Sequence, residues 1–593
     1  MNASESITNL DPRKLFDWID YVVFGLSLVL SALIGVYFAF FAPQKQNTTS
    51  EYLMGGKTMG IFPISMSLIA SYISGISLLG LPAEMYVYGT QYWMIVCSEI
   101  VVSFTIVGVY LPVFYTLQIT SSYEYLKLRF SSGVRLLGSV IFLVKMLLYI
   151  PMVIYVPALA FSQATGANLH LITPIVCIVC IFYTTLGGLK AVVWTDTLQT
   201  ILMFAGVIIV MVLGTINVGG IDVVIERSRD SERLEFFVFD LDPTIRHTFW
   251  SVLVGNYFSW LAACSVNQAM MQRCLAMPTR KKANITVIIL AAGILAIVTM
   301  SCYTGLVIYA SFYDCDPVST KSIGKADQLL PFFVMEISKN IPGLPGLFIS
   351  GVFSAALSSM STGLNSMTGV LFEDLIRPRL KTISEARASF IMKIIVVVIG
   401  TVCVGLVFLV EKMGTLIQAG KSLAGITAGS LLGIFSLGMF FPWANSKGAL
   451  VGGLTSFTLV GWISLGTQAA IATGHITFPK KPISVEGCVL EYDNSTLSLI
   501  PEFIRDEPFA LYRMSYLWYT ALGTSTAIIV GLIVSFLTGP NDPKNVDPKL
   551  LTPVIHRFLP TKMRRREVDD GQHKNKEMDN LESLKLDLKE SAC

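Results

Sequence analysis

One apolar stretch of this chain carries small residues and hydroxyls where an ordinary apolar helix carries bulky side chains. Residues 67–82 include four serines, two glycines and a proline. Glycine and proline disfavour a continuous helix, so the sequence predicts a break near Ser74 and Gly75. The carbonyls of Ala70 and Ile73 would then lose their intrahelical partners and could bind a cation. The alternative is an unbroken helix whose small residues form a packing seam.

A second stretch, residues 354–362, places hydroxyls on one face of a helix. Ala355, Ser358 and Ser359 stand at positions i, i+3 and i+4, so one carbonyl and two hydroxyls would face the same neighbour. Serines in apolar helices also bond back to the preceding turn or ease close packing, which is the alternative interpretation. Together with the two carbonyls of the first stretch, these groups make five neutral oxygens, which suit a hard monovalent cation.

Other kinds of chemistry find little support in the sequence. The five histidines show neither HExxH nor HxxxH spacing, which argues against a metal enzyme. Cys177 and Cys180 form a CxxC pair inside an apolar run, and the GGKT sequence at 55–58 lacks the first glycine of a phosphate-binding loop. No basic block before the C-terminal tail is large enough for nucleic acid, and no acid, base and nucleophile converge as in an enzyme.

The composition indicates that lipid surrounds these stretches. Of the 593 residues, 53% are hydrophobic and 14% are charged, whereas a soluble protein carries about 25% charged residues. A membrane helix needs about 20 mostly apolar residues. Thirteen segments qualify, which predicts an all-α integral membrane protein with thirteen transmembrane helices. The segments are residues 18–41, 60–86, 92–117, 137–163, 168–186, 190–217, 247–272, 284–311, 346–372, 388–410, 413–441, 446–468 and 515–538.

Basic residues in the short loops predict the orientation. Lys and Arg gather on one side of the predicted helices, which is then the cytoplasmic side. The loops in question hold Lys127, Arg129, Arg135, Arg273, Arg280, Lys281, Lys282, Arg377, Arg379, Lys381 and Arg387. Residues 1–17 and the loop 469–514 would be extracellular, residues 18–538 would form the transporter domain, and residues 539–593 would form a cytoplasmic tail.

The predicted outer loops contain sites for covalent modification. Asn2 and Asn494 lie in glycosylation sequons on the outer side. Cys315 and Cys488 also fall in outer loops, where the oxidising compartment permits a disulfide bond. Two free thiols are the alternative.

Several short runs resemble the solute:sodium symporter family. They are GGLKAVVWTDTLQ at 187–199, YEYL at 123–126 followed by Arg129-Phe130, and Asn267-Gln268 with Gln272-Arg273. The resemblance extends over about residues 18–540. Three further runs, at 315–317, 327–331 and 342–348, are similar to the branch that carries monocarboxylates, vitamins and iodide.

The resemblance implies a LeuT-type fold with two inverted five-helix repeats, residues 60–217 and 247–441, with one extra N-terminal helix and two extra C-terminal helices. It also implies a site for sodium as the coupling ion, with no other metal and no organic cofactor. The family's sodium ligands would be the carbonyls of Ala70, Ile73 and Ala355 and the hydroxyls of Ser358 and Ser359. Asp196 matches a family aspartate tied to a second sodium or to gating.

The substrate pocket implied by the resemblance involves six positions: Tyr72, Ser77, Tyr149, Trp260, Cys264 and Gln418. Sugar carriers of the family have a Tyr-Trp pair where this chain has Ala263-Cys264, so a sugar is disfavoured.

Three ionisable residues lie within the predicted membrane helices. Lys421 stands where the branch usually has an uncharged residue, and we predict that it selects an anionic substrate. Its rivals are pairing with Glu99 or Asp196 and snorkelling to the outer surface. Lys145 and Glu99 are the other two, and structural pairing or snorkelling is the alternative to a functional role for them.

The sequence therefore predicts a plasma-membrane protein with an extracellular N-terminus and a cytoplasmic C-terminus. We expect it to be no enzyme but a sodium-coupled symporter that imports a small anionic organic solute, a monocarboxylate first, by alternating access. The alternative function is a ligand sensor or channel-like protein on the same fold, without coupled accumulation. The partners expected are sodium, the solute and the lipid bilayer.

Overall fold

The computed structural model describes residues 16–42, 48–339, 341–380, 383–410, 416–488 and 508–558, without the side chains of residues 163, 409, 410, 416–419 and 421–423. Within these ranges every regular element is helical. The α-helices are α1 (Trp18–Val36), α2 (Thr49–Met54), α3 (Ile61–Tyr72), α4 (Gly75–Tyr88), α5 (Ile95–Thr105), α6 (Leu111–Leu117), α7 (Glu124–Arg129), α8 (Ser132–Thr165), α9 (Leu169–Val218), α10 (Ile221–Asp230), α11 (Asn256–Ser265), α12 (Gln268–Leu275), α13 (Arg280–Ser311), α14 (Leu329–Ile337), α15 (Leu344–Val370), α16 (Glu385–Val410), α17 (Leu416–Phe440), α18 (Ser446–Ala472) and α19 (Tyr519–Leu537).

In the described part of the chain, nine continuous helical stretches are long and apolar enough to cross a membrane. They are Trp18–Phe41, Thr90–Leu117, Ser132–Ser162, Leu169–Val218, Arg280–Ser311, Leu344–Arg379, Glu385–Phe408, Ser446–Ala472 and Tyr516–Leu537. The chain is therefore a multi-pass membrane protein. The count differs from thirteen partly because the predicted segments 60–86 and 247–272 are each divided into two shorter helices.

The longest helix, α9, joins two of the predicted spans and contains one non-helical residue, Gly188, with φ of 53°. A side chain cannot be accommodated there, because a Cβ atom would lie 2.8 Å from the carbonyl oxygen of Tyr52. The Tyr52 hydroxyl in turn donates to the carbonyl of Thr184, 3.3 Å away. The glycine pair of the GGLK run thus lets α2 pack closely against α9.

Helix α15 lies at the centre and is buried along nearly all of its length. It packs against α9, α8, α3 and α1. At its N-terminal end, the Asp20 carboxylate of α1 accepts a hydrogen bond of 2.9 Å from the Gly346 backbone N–H. Small residues allow this approach, since a Cβ on Gly346 would meet the Asp20 backbone at 2.5 Å.

Two of the arginines used for orientation are buried anchors. Arg129 donates to the carbonyls of Gly438, Phe441 and Pro442 at the end of α17, and Arg135 forms an ion pair with Asp374. The other basic loop residues that the structure describes, apart from Arg273, are exposed. The loop charges that remain still favour one side of the molecule.

Cys315 and Cys488 form a disulfide bond, with Cα atoms 5.0 Å apart. It joins the segment after α13 to the segment after α18, and the backbone hydrogen bond from Asp316 N to Ser484 O (2.9 Å) lies beside it. The alternative of two free thiols does not hold in this structure. The predicted glycosylation sites Asn2 and Asn494 lie outside the described residues.

Candidate functional site

The predicted break in the first small-residue stretch is confirmed. Helix α3 ends at Tyr72, Ile73 is extended with φ of −99° and ψ of 103°, and α4 begins at Gly75. The Ser74 hydroxyl accepts a hydrogen bond of 3.3 Å from the Ser77 N–H and so begins the second helix. Serine is a favoured residue at a helix N-cap, which explains why the chain restarts at this point.

The break leaves backbone oxygens without helical partners. The last regular bond of α3 runs from Ile73 N to Ile69 O over 3.1 Å, and no backbone or side-chain donor among the described residues reaches the carbonyls of Ala70 and Ile73. An unsatisfied carbonyl inside a bilayer is costly, so such oxygens persist where they line a cavity or bind a ligand.

Helix α15 runs beside the break. Gly75 lies against it, since a Cβ on Gly75 would be in ordinary contact with the Val352 carbonyl oxygen at 3.5 Å, and Ser71 Oγ lies 2.7 Å from Thr362 Oγ1. The run that contains Ser358 and Ser359 lies between these two contacts. Both hydroxyl oxygens are buried and have no hydrogen-bond partner in the described part of the chain. The unsatisfied hydroxyls and the free carbonyls therefore belong to one neighbourhood, and neutral oxygens of this kind fit sodium.

A cavity of about 310 Å³ adjoins this neighbourhood. The break contributes Ile73 and Ser74 to its wall, and α15 contributes Ser359. The remaining wall comes from α3, α4, α5, α8, α11, α12, α13, α17 and α19. Its size suits a small organic molecule.

Four of the predicted substrate residues line this cavity: Tyr72, Ser77, Tyr149 and Trp260. The Tyr72 hydroxyl donates a 2.9 Å hydrogen bond to the Ala263 carbonyl, and its ring meets the Trp260 ring edge-on with centroids 5.6 Å apart. These contacts fix both aromatic rings in the cavity wall.

The other three predicted substrate positions differ. Cys264 is fully buried and does not line the cavity, because the preceding residue, Ala263, forms that part of the wall. Gln418 and Lys421 belong to α17, but their side chains lie outside the described part of the chain. Their neighbours Gly420 and Ala424 border the cavity.

Asp196 lies beside this neighbourhood of oxygens, in a fully buried ion pair that could not be read from the sequence. Arg273 Nη2 donates to Asp196 Oδ2 over 3.1 Å, and both side chains are 0% exposed. Ser67 Oγ bridges the pair, accepting from Arg273 Nε at 2.7 Å and donating to Asp196 Oδ2 at 2.5 Å. Arg273 also donates to Thr362 of α15. The other carboxylate oxygen, Oδ1, accepts no hydrogen bond of normal length among the described residues, but the Ser358 hydroxyl is close enough to stabilise the carboxylate. The sodium or gating role of Asp196 stays a prediction.

One sequence signal could have revealed that each of these two residues needs a partner. Asp196 and Arg273 lie in two of the family-like runs, one acidic and one basic, and both are close to apolar segments. A charge within a membrane protein needs an opposite charge or a strong hydrogen-bond donor set nearby.

A second ion-paired cluster closes the other end of the cavity. It, too, was not predicted from the sequence. Arg246 Nη2 lies 2.8 Å and His247 Nε2 lies 3.2 Å from Glu84 Oε1, and His247 Nε2 is 3.0 Å from the Tyr516 hydroxyl. Glu84 and Tyr516 line the central cavity, whereas Arg246 and His247 line a second cavity of about 570 Å³. The cluster thus separates the two cavities. The second cavity is bordered by residues 475–479 of the predicted outer loop.

An acidic residue outside the membrane helices adjoins this cluster. Burial, together with the negative charge of Glu84 and against the opposing charge of Lys325, raises the pKa of Asp327 to about 6. Asp327 therefore gains a proton near pH 6, which removes one negative charge close to Glu84. Among the residues that the structure describes, no group of His, Cys, Asp and Glu side chains is arranged to hold a metal ion.

Comparison with known proteins gives consistent matches. The model of the sodium:solute symporter family matches residues 52–456. The chain is 40% identical to the sodium-coupled monocarboxylate transporter 2 of Mus musculus, over 92% of this chain and 88% of that protein. It is 41% identical to the sodium-coupled monocarboxylate transporter 1 of Xenopus laevis, over 88% of this chain and 85% of that protein. The sodium-dependent multivitamin transporter of Oryctolagus cuniculus is 39% identical, over 92% of this chain and 86% of that protein.

Among solved structures, the fold is similar to that of a Na⁺-coupled sialic acid symporter in a substrate-bound outward-open state. The TM-score is 0.72 at 23% sequence identity, and the match covers 89% of this chain and 99% of that chain. At this level of sequence identity, the similarity shows that the two proteins share a fold and no more than that.

The buried pair gives a testable prediction. Asp196→Asn leaves Arg273 as an uncompensated charge, so we expect a loss of about 3–5 kcal/mol in the free energy of unfolding, measured as a lower melting temperature of the purified protein. The control is Glu373→Gln, which removes the partner of the half-exposed Arg377 (Nη1–Oε1 2.8 Å) and should cost at most about 1 kcal/mol. Equal melting temperatures for Asp196→Asn and the wild type would show that Asp196 does not neutralise Arg273.

Proposed function

Because the chain belongs to the sodium:solute symporter family, we propose that it imports a small monocarboxylate, driven by the sodium gradient, through alternating access. The family and the relatives consist of transporters, so the chain is a transporter and not an enzyme. The sodium ion is its coupling ion under this proposal, and the solute is its cargo.

The observation that carries the proposal is the neighbourhood of free oxygens beside the cavity. Two carbonyls released by the helix break, Ala70 and Ile73, and two unsatisfied hydroxyls, Ser358 and Ser359, lie in the region where α3 and α15 meet. We assign sodium to these oxygens and to the Ala355 carbonyl. A hard monovalent cation would satisfy groups that otherwise lack partners in an apolar interior.

The same residues supply a physical route for coupling. Ile73, Ser74 and Ser359 belong both to the oxygen neighbourhood and to the cavity wall. An ion that holds α3 and α15 together would therefore also fix one side of the cavity and lower the cost of ordering it around a solute. Such coupling is reciprocal, so the solute would strengthen sodium binding by the same factor.

The names of the relatives support a carboxylate as the solute. Two of the matched proteins are monocarboxylate transporters and one is a multivitamin transporter, each about 40% identical over most of the chain. A cavity of about 310 Å³ suits the smaller of these solutes. We assign Tyr72, Ser77, Tyr149 and Trp260 to the substrate site on their position in its wall, and we keep Gln418 and Lys421 as candidates.

We further propose thirteen transmembrane helices arranged as two inverted five-helix repeats, residues 60–217 and 247–441. The first segment of each repeat is divided in two, α3 from α4 at Ser74 and α11 from α12 at Asn267. Each second half begins with a side-chain cap, since Asn267 Oδ1 accepts from Ala269 N over 3.0 Å. Equivalent breaks at equivalent positions are what inverted repeats predict.

We propose a plasma-membrane location with the N-terminus outside and the C-terminus inside. The exposed basic residues after α12, Arg280, Lys281 and Lys282, support this orientation. The disulfide bond between Cys315 and Cys488 lies on the opposite side under this proposal, in the oxidising compartment.

The sodium assignment predicts the behaviour of two serine variants. Ser358→Ala or Ser359→Ala removes one ligand of the cage, and the loss of about 1–3 kcal/mol would raise the half-saturating sodium concentration of uptake by about 5- to 150-fold. Radiotracer uptake of a monocarboxylate, with sodium titrated against choline, measures this shift. Substrate affinity at saturating sodium should change little.

A matched control lies on the same helix. Ser350 is also buried, but its hydroxyl donates to the Gly346 carbonyl over 2.7 Å, so Ser350→Ala should leave sodium activation unchanged. Normal sodium activation in both test variants at wild-type surface expression would remove these hydroxyls from the sodium site. Sodium-dependent currents without accumulation of the solute would instead favour the sensor or channel-like function.

The orientation predicts glycan on Asn494 and on Asn2. Asn494→Gln should abolish most of the glycosidase-sensitive mobility shift on a gel, and the double variant with Asn2→Gln should abolish all of it. Asn284 also begins a sequon, Asn284-Ile285-Thr286, which faces the cytoplasm under this proposal, so Asn284→Gln is the control and should keep the shift. A shift that persists in the double variant would overturn the orientation.

A further inference from the structure

Four charged side chains line the central cavity, and two of them have clear partners. Glu84 is paired with Arg246 at one end, and Arg273 is paired with Asp196 at the other end. The remaining two are Glu99 and Lys145. They form no ion pair with any residue that the structure describes, and they have no role in the function proposed above.

Glu99 is held on α5 with its carboxyl group inside the protein. The residue is 3% exposed, and its Oε2 atom has no hydrogen-bond partner among the described residues. Its neighbour on the chain, Ser98, is occupied elsewhere, because it donates to the Ile95 carbonyl and accepts from Asn256 Nδ2 at 2.7 Å. A buried carboxyl oxygen without a donor costs free energy unless a ligand or water supplies one.

Lys145 lies in the middle of α8. It is thirteen residues after the first residue of that helix, or about 20 Å along its axis, and so lies near the middle of the apolar stretch Ser132–Ser162. Tyr149 follows one turn later on the same face, and both line the cavity. This position favours a role in the cavity over snorkelling, the alternative considered for this residue.

Glu99 and Lys145 do not neutralise each other directly in the described structure, which contains no ion pair between them. Both nevertheless line the same cavity. The cavity thus offers a cation and an acid on different helices, α8 and α5, with apolar and aromatic groups around them. A basic and an acidic side chain that are held apart suit a single ligand that carries an anionic group for the first and a hydrogen-bond donor for the second.

We propose that Lys145 binds the carboxylate of the substrate and that Glu99 accepts a hydrogen bond from a donor on the same molecule. The cavity then selects a small monocarboxylate that carries a hydroxyl or an ammonium group over a plain alkanoate. This inference rests on the proposed function and assigns its substrate class. Among the described residues that line the cavity, Lys145 is then the principal anion-binding residue.

The first experiment tests Lys145 by comparing an acid with its neutral amide. Sodium-dependent uptake of a radiolabelled monocarboxylate by the full-length protein is measured with increasing concentrations of 2-hydroxypropionate or of 2-hydroxypropanamide as the competitor. The wild type should prefer the acid by about 10- to 100-fold in half-inhibitory concentration, the size of one charged hydrogen bond. Lys145→Gln should reduce this preference to within about threefold, and Lys145→Arg should keep most of it.

The control for this experiment is Lys393→Gln. Lys393 is also partly buried within an apolar helix, α16, but does not line the cavity, so this variant should keep the full preference for the acid. A Lys145→Gln protein that reaches the surface and still prefers the acid as the wild type does would overturn the proposal. If that variant does not reach the surface, loss of the preference in Lys145→Arg would overturn it.

The second experiment tests Glu99 with propionate, 2-hydroxypropionate, 2-aminopropionate and 3-aminopropionate as competitors. The wild type should favour at least one donor-bearing acid over propionate by about tenfold or more. Glu99→Met should abolish that preference. Glu99→Gln separates the two donors, because an amide oxygen still accepts from a hydroxyl but loses the charge attraction to an ammonium group.

The outcomes distinguish this inference from the function on which it rests. Equal affinity of the wild type for propionate and all donor-bearing acids would overturn the role of Glu99 while sodium-dependent carboxylate uptake stands. Absence of sodium-dependent uptake of every carboxylate in the wild type would overturn the proposed function and this inference together.

Discussion

A backbone carbonyl inside a lipid bilayer must have a partner, and this constraint governs the centre of the molecule. Helix α3 stops at Tyr72 and α4 starts at Gly75, so the carbonyls of Ala70 and Ile73 have no helical donor. Each unpaired backbone group in hydrocarbon costs several kcal/mol, which is a large part of the free energy of unfolding of a typical domain. The break is tolerable because it lies in the protein interior, beside a cavity and beside a helix that offers two further unsatisfied oxygens. A cation in that position would satisfy all of them at once.

The charged groups around the cavity are subject to the same need for partners. Arg273 with Asp196 and Arg246 with Glu84 are ion pairs at opposite ends, and each links helices that are distant in sequence. Breaking such a pair on one side leaves an uncompensated charge, so the two clusters can hold the ends of the cavity firmly. The charged groups that remain, Glu99 and Lys145, lie between these ends, where a solute would be. Under the proposed function, the pairing of the cavity ends is structural, and Glu99 and Lys145, which form no ion pair with another described residue, are available for recognition.

Much of this arrangement follows from local sequence, and some of it does not. The break near Ser74 could be predicted because glycine, serine and proline weaken a helix wherever they occur, and the shared face of Ser358 and Ser359 follows from helical periodicity. The sequence indicates that Asp196 and Arg273 each need a partner, but not that they are partners of each other, since α9 and α12 are far apart in the chain and the two side chains meet only in the folded protein. The family resemblance predicts Cys264 in the cavity wall, but α11 places the preceding residue, Ala263, there. Which of two adjacent residues on a helix faces a cavity cannot be read from the sequence alone. The thirteen spans predicted by length stay a prediction: nine continuous apolar helices are found among the described residues, partly because the segments 60–86 and 247–272 are each divided into two shorter helices.

Direct binding of sodium to the purified protein tests the central claim, that the oxygens around the α3–α4 break hold the coupling ion. Equilibrium binding of ²²Na⁺ should be saturable, and a transported monocarboxylate should tighten it by the same factor by which sodium tightens binding of the carboxylate. Sodium binding that does not saturate, or that saturates but is indifferent to the carboxylate, would contradict the account.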